Sequence, residues 1–509
     1  MTQIKYTLIS FLAVCMTACT TGRSDNKQDL QQPVYNILFI TADDLDENSL
    51  GCYGSRVPGI SPNIDEFAQQ GIRFEHAFIN CSICQPSRSI FATGRYGHNS
   101  GAMGFMHIDP EGSGNTIMSL LQQHGYLTGV LSKVEHSTPD TIFKWDYVKY
   151  AGDLGRGRDP SLYYRYAVEF FDRCKQKGKP FYFMVNSDDP HRPFFNPESP
   201  DAFRGGIKSP SRLYRPGEIE VPGFVPDIPR VRKEISWYFN SVRRFDDTFG
   251  MVMRALEESG FEDSTIVVFI SDNGIAIPFA KANTYFASNR SPWIMRWPDV
   301  IKAGTVDRGH FISAVDYMPT ILEALQIEVP ENLDGRSFLP VLRGERQQKR
   351  DRVYCQIDYK FSGGPVPMRS VITEEFIYIF NPWADGDRVY GNNNEGLTMA
   401  AMQQAAETDP FIAGRCELFR KRILEEMYDM KNDPGCLHNL AGDPAYSGVY
   451  REMTEKMREL LVESDDPVLP LFDNRHDSAK LSESFYRVYP EAKEADKNKA
   501  RYSLGSTSY

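Results

Sequence analysis

The sequence predicts an α/β fold, with a large, mostly parallel sheet sandwiched by helices and a smaller C-terminal α+β domain built on an antiparallel sheet. Three observations predict it. From Tyr35 onward, short apolar runs typical of buried parallel strands alternate with helical patterns. Four of these runs end in polar clusters. After about Gly344 the pattern changes to short strands separated by turns.

The four apolar runs are each followed directly by residues that can take part in chemistry. In chain order, the runs and their clusters are NILFI before TADD, YLTGVL before SKVEH, FYFMV before NSDDPH, and TIVVFI before SDNG. In open α/β sheets, ligands bind beyond the carboxyl ends of the strands. The sequence therefore predicts that all four clusters gather at one edge of the sheet.

Three helices are expected between these strands, in SPNIDEFAQQG, NTIMSLLQQHG and ISWYFNSVRRFDDTFGMVMRALEESG. Ser61 and Asn115 are the expected caps of the first two helices. Each of the three stretches stops at a glycine, a common helix terminator: Gly71, Gly125 and Gly260.

The domain organisation follows from changes in composition along the 509 residues, including the charged segment GERQQKRDR. We expect a signal peptide at 1–18, a linker at 19–33, the main α/β domain at 34–345, the α+β domain at 346–472 and a tail at 473–509. The tail is polar, and we expect it to pack poorly.

The N-terminus predicts export. Lys5 precedes the short apolar stretch YTLISFLAV, and Ala18 stands directly before Cys19, which resembles a bacterial lipoprotein signal with Cys19 as the lipidated residue. The alternative is ordinary cleavage and release. We expect a periplasmic or membrane-anchored bacterial protein whose contact with the membrane is made through the lipid alone. The net charge of −11 argues against a nucleic-acid partner.

Carboxylates follow two of the strands. Asp43 and Asp44 end the first strand, and Asp272 with Asn273 end the last. Adjacent acidic groups repel one another unless a positive charge lies between them, and oxygen ligands favour calcium or magnesium. Each pair alone could be turn chemistry or a helix cap. Their convergence at one edge favours a metal site.

Basic side chains follow the same strands. Lys133 and His136 come after the second strand, His191 after the third, and Lys281 eight residues beyond Asn273. Two lysines and two histidines beside a metal would form a cage for a tetrahedral oxyanion and could move protons to and from it.

Cysteines are scattered except for one CxxC formed by Cys81 and Cys84, which could be a redox pair or a disulfide. Pro86 suits the first turn of a helix and Gly94 its end, so Cys84 would lie at the helix N-terminus. Considered alone, Cys84 would be an activated thiolate.

The stretch CQPSRSIFATG (84–94) resembles the signature C-x-P-S-R-x-x-x-x-T-G of the type I, formylglycine-dependent sulfatases of the alkaline phosphatase superfamily. The resemblance extends from about Tyr35 to Asn439 and includes SPWIMRWP, VDYMPTILE and LDGRSFLPVL. It implies a sulfuric ester hydrolase whose catalytic domain is the main α/β domain.

The resemblance implies a specific nucleophile and metal. A maturation enzyme, the formylglycine-generating partner, would oxidise Cys84 to formylglycine, and the hydrate of this aldehyde would attack sulfur. Residue 84 would bind calcium together with Asp43, Asp44, Asp272 and Asn273. The CxxC spacing is then accidental, and the first cysteine is expected to be an ordinary packed residue.

The resemblance also assigns the remaining catalytic residues. His191 and Lys281 would hold the sulfate and protonate the leaving group. His136 would deprotonate the remaining hydroxyl, so that sulfate is expelled and the aldehyde is regenerated. Lys133 and Arg88 would support the hydrate and its charge.

NSDDPHRPF and MRSVITEEFIYI are similar to the sulfamidases, the N-sulfoglucosamine sulfohydrolases of heparan breakdown. Three features depart from that branch: Asp188 replaces a histidine, KVEH is one residue longer than K-x-H, and Lys281 stands where arginine is found. We therefore expect an N- or O-sulfated saccharide, with heparan-type glycosaminoglycan favoured and chondroitin or an algal polysaccharide as alternatives. The candidate substrate-binding residues are Asp188, Arg192, His107 and Arg369.

Two other functions fit parts of the sequence. Phosphodiesterases and phosphonate hydrolases of the same superfamily share the metal scaffold. The other is a glycan-binding lipoprotein with an inactive fold. Such a protein would not need the complete set of basic residues, so the presence of this set argues against a pure binding function.

Overall fold

A computed structural model describes residues 35–108, 115–199, 207–360, 364–392 and 395–493. The predicted signal peptide and the predicted linker lie outside these residues. Within them, no helix is long and apolar enough to span a membrane.

Ten strands build the main sheet and a small two-stranded sheet. They are β1 (Asn36–Asp43), β2 (Ile72–Phe74), β3 (Ala77–Phe78), β4 (Leu127–Leu131), β5 (Tyr147–Lys149), β6 (Phe181–Pro190), β7 (Thr265–Ser271), β8 (Trp293–Arg296), β9 (Thr305–Asp307) and β10 (Ile312–Ser313). The main sheet has the order β5-β4-β6-β1-β7-β8-β2-β9, and β3 pairs with β10. The first five strands in that order are parallel to one another, whereas β8 is antiparallel to both β7 and β2.

The four strands that the sequence predicted are β1, β4, β6 and β7, and they are neighbours in the parallel part of the sheet. Their carboxyl ends therefore lie at one edge. All residues of β1, β4 and β7 are buried, which explains why these strands read as continuous apolar runs. The predicted fold class is confirmed.

Helices cover both faces of the main sheet. In this part of the chain they are α1 (Pro62–Ala68), α2 (Cys84–Thr93), α3 (Gly97–Ser100), α4 (Ile117–Gln123), α5 (Pro160–Lys177), α6 (Pro229–Ser259), α7 (Phe286–Asn289), α8 (Tyr317–Ala324) and α9 (Leu339–Leu342). The cap of α4 is Thr116, whose side chain accepts from Ser119 N, and not the predicted Asn115.

Aromatic contacts show how the two helical layers pack. On one face, Phe39 of β1 stacks on Tyr317 of α8 at 4.5 Å and contacts Phe91 of α2 at 5.6 Å. On the other face, Phe183 of β6 stacks on Phe170 of α5 at 4.2 Å. Because successive strand residues point to opposite faces, the same sheet packs against both helical layers.

A second sheet follows the main one, in the order β11-β12-β13-β14 and antiparallel throughout. Its strands are β11 (Arg352–Tyr359), β12 (Pro365–Thr373), β13 (Phe376–Phe380) and β14 (Glu425–Asp429). The helices of this part are α10 (Leu397–Ala405), α11 (Pro410–Lys421), α12 (Ser447–Glu463), α13 (Leu469–Asp473) and α14 (Ser478–Val488). The sheet lies within the predicted α+β domain, whose boundary at residue 346 stays a prediction.

One helix face in the predicted tail is better packed than expected. Phe485 in α14 and Tyr489 just after it are almost fully buried, and the Tyr489 hydroxyl donates to Asp358 Oδ1 at 2.8 Å. These two apolar residues are four apart and share one helix face. The polar average composition hid this stripe; most other described residues of the predicted tail are exposed or half-buried, and its overall poor packing stays a prediction.

Candidate active site

Cys84 is the first residue of α2, a helix whose ten residues are all buried. Its Sγ donates to Asp43 Oδ1 at 3.3 Å and accepts from Lys281 Nζ at 3.1 Å. Burial and the Asp43 carboxylate raise the pKa of the Cys84 thiol well above its ordinary value, against the opposing charge of Lys281. This shift disfavours the activated thiolate that the helix N-terminus considered alone would suggest.

Three buried carboxylates and one amide surround the thiol: Asp43, Asp44, Asp272 and Asn273 are all completely buried. Asp44 N donates to Asp272 Oδ1 at 3.2 Å, and Asn273 Nδ2 donates to Asp44 Oδ1 at 2.6 Å. Burial and the neighbouring Asp43 raise the pKa of Asp272 to about 7. Such a concentration of negative charge calls for a cation.

The donor atoms fit a hard divalent cation such as calcium. Carboxylate oxygens and an amide oxygen are its preferred ligands, and the buried Asn273 Oδ1 has no hydrogen-bond partner among the described residues. One ligand atom each from Asp43, Asp44, Cys84 and His191 lie within 4.8 Å of one another. Three of the five predicted ligands are in this group, and the other two, Asp272 and Asn273, contact Asp44.

Arg88 is buried, and its guanidinium is hydrogen-bonded to other residues of the protein. Its Nε and Nη2 donate to Asp272 Oδ2 at 3.0 and 2.7 Å, and its Nη1 donates to Thr41 Oγ1 and Asn186 Oδ1 at 2.8 and 2.5 Å. The side chain is 1% exposed. The sequence analysis missed Thr41 and Asn186 as partners, although both stand in the strand-end clusters.

Lys133 connects the metal cluster to a predicted substrate-binding residue. Its ammonium contacts Asp43 and lies 3.2 Å from Asp188 Oδ1, while the Ser132 hydroxyl donates to the other oxygen of Asp188. Burial acts to lower the pKa of Lys133, but Asp43 and Asp188 raise it above its ordinary value. Lys133 is therefore charged, and Asp188 lies at the site.

His136 is neutral at physiological pH. Burial, followed by the positive charges of Lys133 and Arg88, lowers its pKa to about 4. Its buried Nδ1 has no hydrogen-bond partner among the described residues. An unprotonated imidazole nitrogen of this kind can accept a proton.

His191 and Lys281 both lie against Asp44. Lys281 Nζ donates to Asp44 Oδ1 at 2.5 Å, and His191 Nε2 lies 3.8 Å from Asp44 Oδ2. The other ring nitrogen of His191 is 2.5 Å from the carbonyl oxygen of Arg192, which requires a proton on Nδ1. His191 Nε2 is therefore the nitrogen that faces the cluster.

Arg192, a predicted substrate-binding residue, is largely engaged in contacts within the protein. Its Nε donates to Ala276 O at 2.8 Å and its Nη1 to Glu234 Oε1 at 2.7 Å. Glu234 also accepts from the backbone amides of Leu397 and Thr398 at the start of α10. Arg192 thus ties the ends of β6 and β7 to α6 and α10, and Glu234 is a positioning residue that the sequence analysis missed.

Arg369 is not a substrate-binding residue, contrary to the prediction. It is completely buried in β12, and its guanidinium donates to Asp466, Asp358 and the carbonyl oxygens of Ile357 and Met368. A fully engaged, solvent-excluded arginine cannot contact a substrate. Asp358 is on the paired strand β11 and Asp466 is 97 residues away, so the linear pattern held no sign that Arg369 lies between them.

His107 and Cys81 have ordinary environments. His107 is exposed, with Nδ1 3.3 Å from Pro139 O, and its predicted role in substrate binding stays a prediction. Cys81 is buried and forms no disulfide with any cysteine in the described part of the chain. The prediction that Cys81 is a packed residue is confirmed.

The family model described as "Sulfatase" matches residues 35–327. The chain belongs to the sulfatase family. It is therefore a sulfuric ester hydrolase, as the sequence predicted. A second model, "N-sulphoglucosamine sulphohydrolase, C-terminal", matches residues 277–395 of the sulfatase.

Known sulfatases resemble this one over most of their length. The N-sulphoglucosamine sulphohydrolase of Homo sapiens is 27% identical over 85% of this chain and 91% of its own. An ulvan-active sulfatase of Formosa agariphila is 26% identical over 88% of this chain and 86% of its own. A solved structure in complex with D-glucosamine-2-N,6-O-disulfate has a TM-score of 0.63 at 20% identity, covering 85% of this chain and 98% of that one.

Proposed function

We propose that this sulfatase removes sulfate from a sulfated saccharide, with heparan-type glycosaminoglycan favoured, by means of a formylglycine at position 84 and a calcium ion. The observation that carries the proposal is the position of Cys84, at the start of α2 and in contact with Asp43 and Lys281. The similarity to the human N-sulphoglucosamine sulphohydrolase over 91% of that protein supports the choice of substrate.

The calcium ligands in this proposal are Asp43, Asp44, Asp272 and Asn273 with residue 84. Calcium supplies a fixed positive charge that offsets the negative charge of the reacting sulfate. Arg88 donates two hydrogen bonds to one oxygen of Asp272 and so opposes the rise in the pKa of that carboxyl. A cation bound among these carboxylates would favour the ionised form of Asp272.

The nucleophile requires maturation. A buried thiol with a raised pKa is a poor nucleophile for sulfur(VI). Conversion of the Cys84 side chain to an aldehyde by a formylglycine-generating enzyme removes the thiol, and the hydrated aldehyde offers an oxygen in its place. The maturation enzyme is thus an obligatory partner.

Proton transfer is divided between the two histidines. Neutral His136 accepts the proton of the second hydroxyl at residue 84, which lets that residue return to the aldehyde as sulfate departs. His191 and Lys281 hold the sulfate and protonate the departing oxygen or nitrogen. Lys133, held by Asp43 and Asp188, supports the charge on the hydrate.

An O-sulfatase acting on another glycan, such as chondroitin or an algal polysaccharide, is the second candidate. Asp188 places a carboxylate beside Lys133, where the sulfamidase pattern has a histidine. Compared with a histidine, this carboxylate adds a negative charge next to the saccharide. The similarity to the ulvan-active sulfatase over 88% of the chain also supports this candidate.

Export is part of the proposal. Residues 1–18 act as the signal and Cys19 carries the lipid, so the enzyme works in the periplasm or on a membrane surface. Cell fractionation of wild type and Cys19→Ala tests this. Wild type is expected in the membrane fraction and the variant in the soluble periplasmic fraction.

The substrate is tested by sulfate release from a panel of defined saccharides. The panel contains N-sulfated and 6-O-sulfated glucosamine, a sulfated chondroitin disaccharide and ulvan oligosaccharides, with a phosphodiester and a phosphonate ester as controls. Sulfate is measured by ion chromatography. We expect release from an N-sulfated glucosamine. Release from ulvan or chondroitin alone would favour the second candidate, and turnover of the phosphorus esters alone would contradict both.

A further inference from the structure

A loop at residues 102–108 lies between the nucleophile helix and the segment that carries His136. At one side, Gln85 Nε2 donates to Met106 O at 3.3 Å, directly after Cys84. At the other side, Ile108 N donates to Pro139 O at 2.9 Å, three residues after His136. The loop therefore spans the distance between two residues of the candidate active site.

Phe105 is the aromatic residue of this loop. Its ring lies 5.5 Å from the ring of His136 with an interplanar angle of 74°, and the side chain is 37% exposed. The neighbouring Met106 is 36% exposed. An exposed aromatic ring thus stands beside His136, and an exposed methionine follows it in the chain.

The chemistry of a sulfated saccharide makes two different demands on the site. The sulfate group needs cations and proton donors, which Lys133, Lys281 and His191 provide. The pyranose ring has faces lined with C–H groups, which pack well against an aromatic surface. The residues of the charged cluster are polar, whereas Phe105 offers an aromatic surface next to His136.

We propose that Phe105 is a stacking platform for the saccharide ring while its sulfate group occupies the charged cluster. The inference deepens the proposed function and rests on it. Phe105 acts on binding of the ring, so its loss weakens substrate binding more than it slows the chemical step. Asp188 and Phe105 would then recognise the polar and apolar parts of the same sugar.

The test compares Phe105→Ala, Phe105→Tyr and Phe105→Trp with wild type on the saccharide that wild type hydrolyses fastest. Phe411→Ala is the matched control, because Phe411 is also an exposed phenylalanine next to a histidine ring, His438. Circular dichroism and calcium titration check that each variant folds and binds calcium. Kinetics give kcat and KM, and the pH profile reports on His136.

We expect KM of Phe105→Ala to rise about three- to tenfold, the range of one aromatic contact. Its kcat and pH profile should stay within about twofold of wild type, since His136 is untouched. Phe105→Tyr and Phe411→Ala should have the KM of wild type. The indole introduced by Phe105→Trp should change its fluorescence when the desulfated saccharide is added, which detects ring binding without turnover. Wild type, titrated in parallel, gives the response of the native tryptophans.

Three results would overturn the inference. An unchanged KM in Phe105→Ala would exclude stacking. A lower kcat with a shifted pH profile and unchanged KM would mean that Phe105 only positions His136. A fluorescence response of Phe105→Trp no larger than that of wild type would exclude contact with the ring. If wild type itself released sulfate from no saccharide, the proposed function would fail first, and that outcome is distinct from the other three.

Discussion

The guanidinium of Arg88 donates from Nε and Nη2 to the same carboxylate oxygen of Asp272, at 3.0 and 2.7 Å. Both side chains are excluded from solvent. Arg88 therefore acts on the reaction through Asp272 and the cation that Asp272 would bind, and it does not reach the substrate directly.

Loss of Arg88 should destabilise the protein and weaken calcium binding. Removing one member of a buried ion pair costs about 3–5 kcal/mol, and it would raise the pKa of Asp272 further. We expect Arg88→Ala to have a lower free energy of unfolding by that amount and a weaker affinity for calcium, measured by denaturant titration and calorimetry. The control is Arg254→Ala, whose solvent-exposed pair with Glu258 should contribute little to stability. Equal stability of both variants would contradict this assignment.

The pH profile should show His136 as a base with a low pKa. Its pKa is about 4, so the imidazole loses its ability to accept a proton only as the pH falls toward that value. We expect this histidine to cause no loss of kcat/KM between pH 7 and about pH 5. His136→Ala should lower turnover by about 10²–10⁴-fold. An acidic limb near pH 6.5 that disappears in His136→Ala would disprove a low pKa for this residue.

The pair formed by Glu234 and Arg192 should make stability depend on pH. Burial acts to raise the pKa of Glu234, but the hydrogen bond and charge of Arg192 and the amides at α10 hold it below its ordinary 4.5. The stabilisation is therefore complete above about pH 4.5 and lost as the pH falls through the folded-state pKa. Glu234→Gln should be less stable than wild type by about 3–5 kcal/mol at pH 7.

The difference in unfolding free energy between wild type and Glu234→Gln should shrink below pH 4.5. Glu198→Gln serves as the control, because its exposed pair with Lys233 should change stability by less than about 1 kcal/mol at either pH. A difference for Glu234→Gln that is independent of pH would contradict the role of the ionised carboxylate.

Arg369 should matter for stability and not for substrate binding. Its replacement by methionine leaves Asp358 and Asp466 as buried carboxylates without their shared cation, which costs several kcal/mol. We expect a lower melting temperature for Arg369→Met, with KM of the folded enzyme unchanged. A higher KM at full folding would restore Arg369 as a substrate-binding residue.

Strand-end residues were predictable because their geometry depends on topology alone. Asp43 ends a parallel strand, His191 and Asp272 directly follow two others, and parallel neighbours bring their carboxyl ends to one edge. The partners of Arg88 and Arg369 were not predictable in this way. Which buried guanidinium meets which carboxylate is decided by tertiary packing, so the linear pattern held no sign that Arg369 is buried between two carboxylates.

The chemical state of residue 84 tests the central claim most directly. The protein is purified from its native host, and the mass of the proteolytic peptide with Cys84 is measured. We predict that this peptide, taken from active enzyme, has the mass of the aldehyde form and reacts with a hydrazine label. Cys84→Ala should fold without activity, and Cys81→Ala should stay active. An unmodified thiol at residue 84 in fully active enzyme would contradict the account.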